Sequence, residues 1–282
     1  MDPIMTPNHY KPLEIAPDTF LIRELTGEGT APVNVYVNSL VIRGEEPVIV
    51  DTGTYANRQR WLNDVFSLVD PKDVKYIYIS HDDHDHVGNL RQALELCPNA
   101  TLIGNWFMVE RLAGDIALPL KRMRWINDGE SFHAGDRTFS AIRPPVFDSP
   151  TTRGLYDSRT GVYWASDAFA MPVHGPADEA SDLDPEFWRE GFFKFQSMIS
   201  PWHGLVDPKK YEAEVNKIER LNPTVIASGH GPVSRGATLA RSFELMKQLP
   251  NMEPAAFPPQ AALEEIVAAM MAAEPGSEEK AA

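Results

Sequence analysis

Along the first half of the chain, apolar and β-branched residues gather in short runs, each stopped by a turn. Thr19–Glu24 alternates loosely, Val33–Ile42 (VNVYVNSLVI) is rich in β-branched residues, and Pro47–Asp51 (PVIVD) ends on the acidic turn DTGT. These runs predict successive strands. Arg58–Val69 carries apolar residues at helical spacing, and Pro71 stops it. Lys75–Ser80 (KYIYIS) predicts a strand that delivers the chain into HDDHDHVGN. A helix over Leu90–Leu96, a strand over Thr101–Ile103 and a helix over Trp106–Leu112 follow.

The second half repeats the pattern less cleanly. Thr138–Ile142 and Val162–Ala165 (VYWA) predict strands, the latter running into SDAF. An insert over about 174–205 mixes acidic residues with Phe187, Trp188, Phe192, Phe193 and Phe195. This aromatic cluster reads as a core or lid face. Pro208–Leu221 predicts an amphipathic helix, Thr224–Ala227 a strand that leads into SGHGPVSRG, and Ser234–Leu249 the last core helix. Two rounds of strand and helix, each with strands ending in loops of His and Asp, predict an αβ/βα sandwich with a site at the strand ends between two sheets. The expected division is a lead-in over 1–18, one domain over 19–249 and a tail over 250–282. In that tail AALEEIVAAMMAA forms a docking or partner helix, and Glu274–Ala282 is disordered.

Composition narrows the function classes. Of 282 residues, 26 are Lys or Arg and 40 are Asp or Glu, a formal net charge of −14. Such a field repels phosphates, which argues against nucleic acid or an anionic membrane as partner. The lone Cys97 excludes an internal disulfide framework and a cysteine-held iron–sulfur cluster within these residues. The N-terminus lacks an apolar core of signal-peptide length and no stretch approaches membrane-span length, so a cytoplasmic location is expected.

The chemistry concentrates in Ser80-His81-Asp82-Asp83-His84-Asp85-His86-Val87-Gly88-Asn89, where six consecutive residues are possible metal ligands after an apolar strand. A solvated acidic turn could have this composition. However, Gly88 permits a tight turn into a helix, and two further loops, Ser166-Asp167 and Gly229-His230-Gly231, carry matching chemistry after strands. Loops held by rigid strands can fix ligands in space.

These motifs resemble the metallo-β-lactamase superfamily: DTG at 51–53, His81, Asp83, Asp85, His86, Asp167 in SDAF and His230 in SGHGP. The resemblance runs in element order from about Thr19 to Leu249, and implies two mixed β-sheets flanked by helices. The usual hydrolase carries His at position 83. A carboxylate there resembles the diiron branch, the flavodiiron proteins and their oxygen-binding relatives, where the residue is Glu. Asp148-Ser149-Pro150-Thr151-Thr152…Tyr156 is similar to that branch's His-Trp-Pro-Asp-Thr…Tyr segment, with Asp148 where it has His.

The resemblance implies one metal on His81, Asp83, Asp148 and Asp167, a second on Asp85, His86, Asp167 and His230, and Asp167 bridging. Four carboxylates neutralise two divalent cations, and oxygen-rich donor sets suit iron or manganese better than zinc, although zinc stays open. His84 and His174 are candidates for orienting ligands or moving protons; His203 is a weaker candidate of the same kind, and His9 and His133 read as surface residues. Asp51 is expected to support the loops. Ser80, Ser166 and Ser228 are expected to satisfy backbone groups, and Met270 and Met271 to form packing surface.

In flavodiiron proteins the matching domain is followed by a flavodoxin-like domain that binds FMN. Only residues 231–282 follow His230 here, too few for such a unit, so no FMN is expected within this chain. Three functions follow. The first is a stand-alone diiron protein that binds or reduces dioxygen or nitric oxide, or uses oxygen on a small molecule, with electrons from a separate donor. The second is a dinuclear metallohydrolase whose metals activate water against an ester, lactone, thioester or phosphodiester. The third is a module that senses metal or gas and signals through the tail helix. A homodimer is compatible with each.

Overall fold

The computed structural model describes residues 8–27 and 33–273. Seven strands form the first sheet in sequential order: β1 (Asn8–Ala16), β2 (Thr19–Thr26), β3 (Val35–Ile42), β4 (Val48–Val50), β5 (Tyr76–Tyr78), β6 (Thr101–Gly104) and β7 (Met123–Trp125). β1 to β4 pair antiparallel and β4 to β7 parallel. The second sheet holds β8 (Ser131–Ala134), β9 (Arg137–Ile142), β10 (Gly154–Asp157), β11 (Val162–Trp164), β12 (Val225–Ala227) and β13 (Ser234–Arg235), in the order β13-β12-β11-β10-β9-β8. It is antiparallel except for the parallel pair β11/β12.

Three apolar layers hold the molecule together. Between the sheets, Leu21, Leu40, Val50, Tyr78 and Ile103 meet Phe132, Phe139, Leu155, Trp164 and Ala227. Burying each large apolar side chain is worth about 1.5–3 kcal/mol. The outer face of the first sheet is covered by α1 (Arg58–Leu68), α2 (His84–Val87), α3 (Leu90–Leu96) and α4 (Trp106–Leu112), with Trp61, Val65, Leu90 and Met108 inward. On the second sheet lie α5 (Pro185–Ile199), α6 (Pro208–Glu219) and α7 (Gly236–Gln248), with Phe192, Val215 and Phe243 inward. This is an αβ/βα sandwich of two mixed sheets, and the parallel strands β4, β5, β11 and β12 all run toward one edge, where their loops meet.

The structure departs from the sequence reading in four places. Asn8–Ala16, inside the expected lead-in, is a strand paired with β2; its pairing slips twice, so the alternation that marks a strand is broken. The insert is dominated by the 15-residue helix α5, whose N-terminus is set by Asp184 accepting from the Glu186 and Phe187 backbone amides and by Pro185 at its first position. β7, β8 and β10 are too short to show a period. The tail helix α8 (Gln260–Ala273) is present, but Met270 and Met271 stand exposed on it. Glu274–Ala282 lies outside the described residues.

Candidate metal centre

Four loops converge at this edge. His81, Asp83, Asp85 and His86 follow β5, Asp148 lies between β9 and β10, Asp167 follows β11 and His230 follows β12. The one-turn helix α2 starts at Asp83, so Asp85 and His86 are swung around it toward the second sheet. Gly88 closes that turn against the DTG loop: a Cβ there would sit 2.6 Å from the Gly53 carbonyl and the Tyr55 amide. Asp51 and Ser166, at the ends of β4 and β11, have left-handed backbone (φ 58° and 53°), a strained geometry of the kind concentrated at functional loops.

His81 Nε2 lies 3.2 Å from Asp83 Oδ2, 3.3 Å from Asp148 Oδ1 and 3.5 Å from Asp167 Oδ2. The other oxygen of Asp167, Oδ1, is 2.8 Å from His86 Nε2 and 3.3 Å from His230 Nε2. Asp85 Oδ2 completes that side, 3.4 Å from His230 Nε2. Asp167 therefore faces a separate donor group with each oxygen, as a bridging carboxylate does. His81 Nε2, His86 Nε2 and Asp167 Oδ1 are buried without a hydrogen bond. Buried polar atoms carry a cost of about 1–3 kcal/mol each when unsatisfied. Lone-pair donors converging on two points fit two cations.

The far side of each imidazole is braced. Asp51 Oδ2 takes His86 Nδ1 at 2.9 Å, the Tyr36 carbonyl takes His230 Nδ1 at 2.9 Å, and Thr152 Oγ1 is 3.2 Å from His81 Nδ1. Occupying Nδ1 leaves the Nε2 lone pair for a metal. Asp51 is fully buried and also accepts from the Ser80 amide and hydroxyl and from Trp164 Nε1 on the opposite sheet. Asn38 on β3 donates its amide to the Ser228 and Gly231 carbonyls, which fixes the His230 loop.

Electrostatically the centre attracts positive charge. Burial works against protonating His86, but the carboxylates of Asp167, Asp51 and Asp85 outweigh it and hold its pKa well above normal. His81 and His230 are raised against burial in the same way, by Asp83 and Asp167 respectively. Despite burial, the neighbouring imidazoles hold Asp167 well below the usual carboxylate range. Pairing with His81 lowers Asp83, whereas burial and the Asp167 charge push Asp148 up to about 6.

The seven ligand candidates named from sequence all meet at these two points. His84 and His174 do not join any of the metal-capable groups among the described residues. His84 faces solvent on α2, because one-turn helix geometry points it away from His81 and His86. His174 is exposed and stacks on Phe187 of α5, ring centres 3.9 Å apart. His203 is buried against the Ser197 hydroxyl, and His133 is exposed on β8 beside Thr138. Sequence reasoning missed the role of Asp82: it is ion-paired with Arg111 and accepts from the Ser149 and Thr151 hydroxyls, tying the Asp148 loop to the His81 loop. Phe195, read from the sequence as part of a core or lid face, packs its ring 5.6 Å from that of His230.

Sandwich and site together define a metallo-β-lactamase-like protein with metal-capable side chains gathered at two adjoining points. The chain belongs to the ODP family of beta-lactamase proteins, whose model matches residues 34–231. It is 31% identical over 232 residues to diflavin flavoprotein A 2 of Nostoc sp. strain PCC 7120, covering 78% of this chain and 38% of that protein. The chain thus spans little more than a third of that relative. In fold it is similar to the flavodiiron protein from Giardia intestinalis (TM-score 0.73, 19% identity, 86% of this chain and 60% of that one). The rubredoxin oxygen:oxidoreductase of Desulfovibrio gigas is also similar (TM-score 0.71, 18% identity, 84% of this chain and 61% of that one).

Proposed function

We propose that this chain is a non-haem diiron oxidoreductase unit that reduces dioxygen with electrons from a separate donor. The observation that carries this reading is the placement of Asp83, where hydrolases of this superfamily use His, within 3.2 Å of His81 Nε2 and opposite the two-faced Asp167. Relatives named as a flavodiiron protein and as an oxygen:oxidoreductase support it. When bound, two irons would relay electrons from that donor and supply the Lewis acidity that oxygen reduction needs.

The chain's own residues prepare that chemistry. Asp83, Asp85, Asp148 and Asp167 together match the charge of two divalent cations, and their hard oxygen atoms favour the higher oxidation states that oxygen chemistry visits. Asp51, Thr152 and the Tyr36 carbonyl keep the three imidazoles in the metal-binding tautomer. Phe195 shields the His230 side from water, while the partly exposed Asp83 and Asp148 leave the opposite side open to a small molecule.

The test is gas consumption by the iron-loaded, chemically reduced protein. Dioxygen uptake that depends on reductant supports the proposal. Faster uptake of nitric oxide than of dioxygen would reassign the substrate, and ester hydrolysis without gas uptake would replace the proposal with a metallohydrolase.

A further inference from the structure

The two halves of the centre differ in donor chemistry, burial and surrounding charge. One half, Asp85, His86 and His230 with Asp167, has two imidazoles, and its side chains are 23%, 2% and 12% exposed, with Asp167 at 4%. Its imidazoles are braced by a buried carboxylate, Asp51, and by a backbone carbonyl. Such bracing fixes ring orientation and raises ligand basicity. The other half, His81, Asp83 and Asp148 with Asp167, has one imidazole and three carboxylates. Here Asp83 and Asp148 are 47% and 34% exposed, and His81 Nδ1 meets a hydroxyl at 3.2 Å and the Asp82 carboxylate only at 3.7 Å.

A further charge lies beside the second of these alone. Arg111 on α4 is ion-paired with Asp82, and its Nη2 stands 3.9 Å from Asp83 Oδ1, while Asp83 Oδ2 faces His81. A guanidinium held by Asp82 opposes a metal cation at that point and draws on the charge of Asp83. Imidazole-rich positions also separate zinc from iron and manganese strongly, whereas oxygen-rich positions suit the harder ions.

Building on the dinuclear reading above, we propose that the chain holds its two metals unequally. The position of Asp85, His86, His230 and Asp167 fills first and tightly. The position of His81, Asp83, Asp148 and Asp167 is a hard, exchangeable one that discriminates least among Fe(II), Mn(II) and Zn(II). Unpartnered, buried Nε2 atoms of His81 and His86 point into the two halves, so each is a built position and not a mere cluster of acids.

The experiment is an anaerobic titration of the metal-free protein with Fe(II), Mn(II) or Zn(II), followed by calorimetry and by elemental analysis after desalting. Two sequential classes about tenfold or more apart are expected for each metal, with the weaker class separating Zn(II) from Fe(II) less than the tighter one does. Asp148→Asn should remove only the weaker class, and Asp148→His should bring the classes together. Circular dichroism confirms that each variant is folded. Two equal classes for every metal would overturn the inequality and leave the dinuclear centre standing. Binding of fewer than two ions at any concentration would overturn the dinuclear centre itself.

Discussion

Asp167 presents Oδ2 to His81 and Oδ1 to both His86 and His230, so each half of the centre depends on it. Asp167→Ala should abolish binding of both metals in elemental analysis, and retention of two per folded chain would refute the bridge. A second residue-scale prediction concerns Glu24 on β2, buried and hydrogen-bonded by the Thr54 hydroxyl, whose pKa burial raises to about 7 from 4.5. The folded state therefore binds more protons than the unfolded state between pH 4.5 and 7, and stability must fall as pH rises through that window. The loss is on the order of 2–3 kcal/mol. Glu24→Gln should flatten this slope in denaturation curves measured from pH 5 to 7; an unchanged slope would place its origin elsewhere. His81, Asp83, Asp85 and His86 were legible in the sequence because they follow an apolar strand in a dense run of His and Asp, and Asp167 and His230 because each closely follows a short apolar strand, whereas Asp148 was named only through the family resemblance. Asp82, Thr152 and the Tyr36 carbonyl were not legible, because a hydroxyl or carbonyl that braces a ring from another strand leaves no local pattern.

At the scale of elements, strands with strong apolar runs (β3, β4, β5, β11 and β12) match the sequence reading, and these are the ones that carry or adjoin the site loops. Helix α5 was hidden because aromatic residues crowd several of its faces, although the Asp184-Pro185 pair that starts it resembles Asp207-Pro208 at the head of α6. Phe192 on α5 is fully buried and meets Phe169 edge-on, ring centres 6.4 Å apart. Phe192→Ala should cost about 3–5 kcal/mol of stability in urea denaturation. Metal stoichiometry should stay unchanged, since Phe192 supports the second sheet and not the ligands. A loss under 1 kcal/mol would mean that α5 is not anchored there.

Across the whole molecule, the two sheets are joined directly beneath the centre: Trp164 Nε1 reaches Asp51 Oδ2 at 3.0 Å, and the Tyr78 hydroxyl reaches the Gly154 carbonyl at 3.1 Å. The fold class was legible because two rounds of strand and helix fix a layered sandwich, whereas the pairing of loops from opposite sheets emerges only once the layers pack. No described helix is long and apolar enough to cross a membrane. The exposed apolar residues of α8, Leu263, Ile266, Val267, Met270 and Met271, recur at helical spacing on its surface. The most direct test of the account is the metal content of the protein purified without chelator, read with its visible spectrum. The account predicts about two irons per chain and a ferrous form that changes its spectrum on exposure to air. Two zincs per chain, with no spectral response to air, would contradict it.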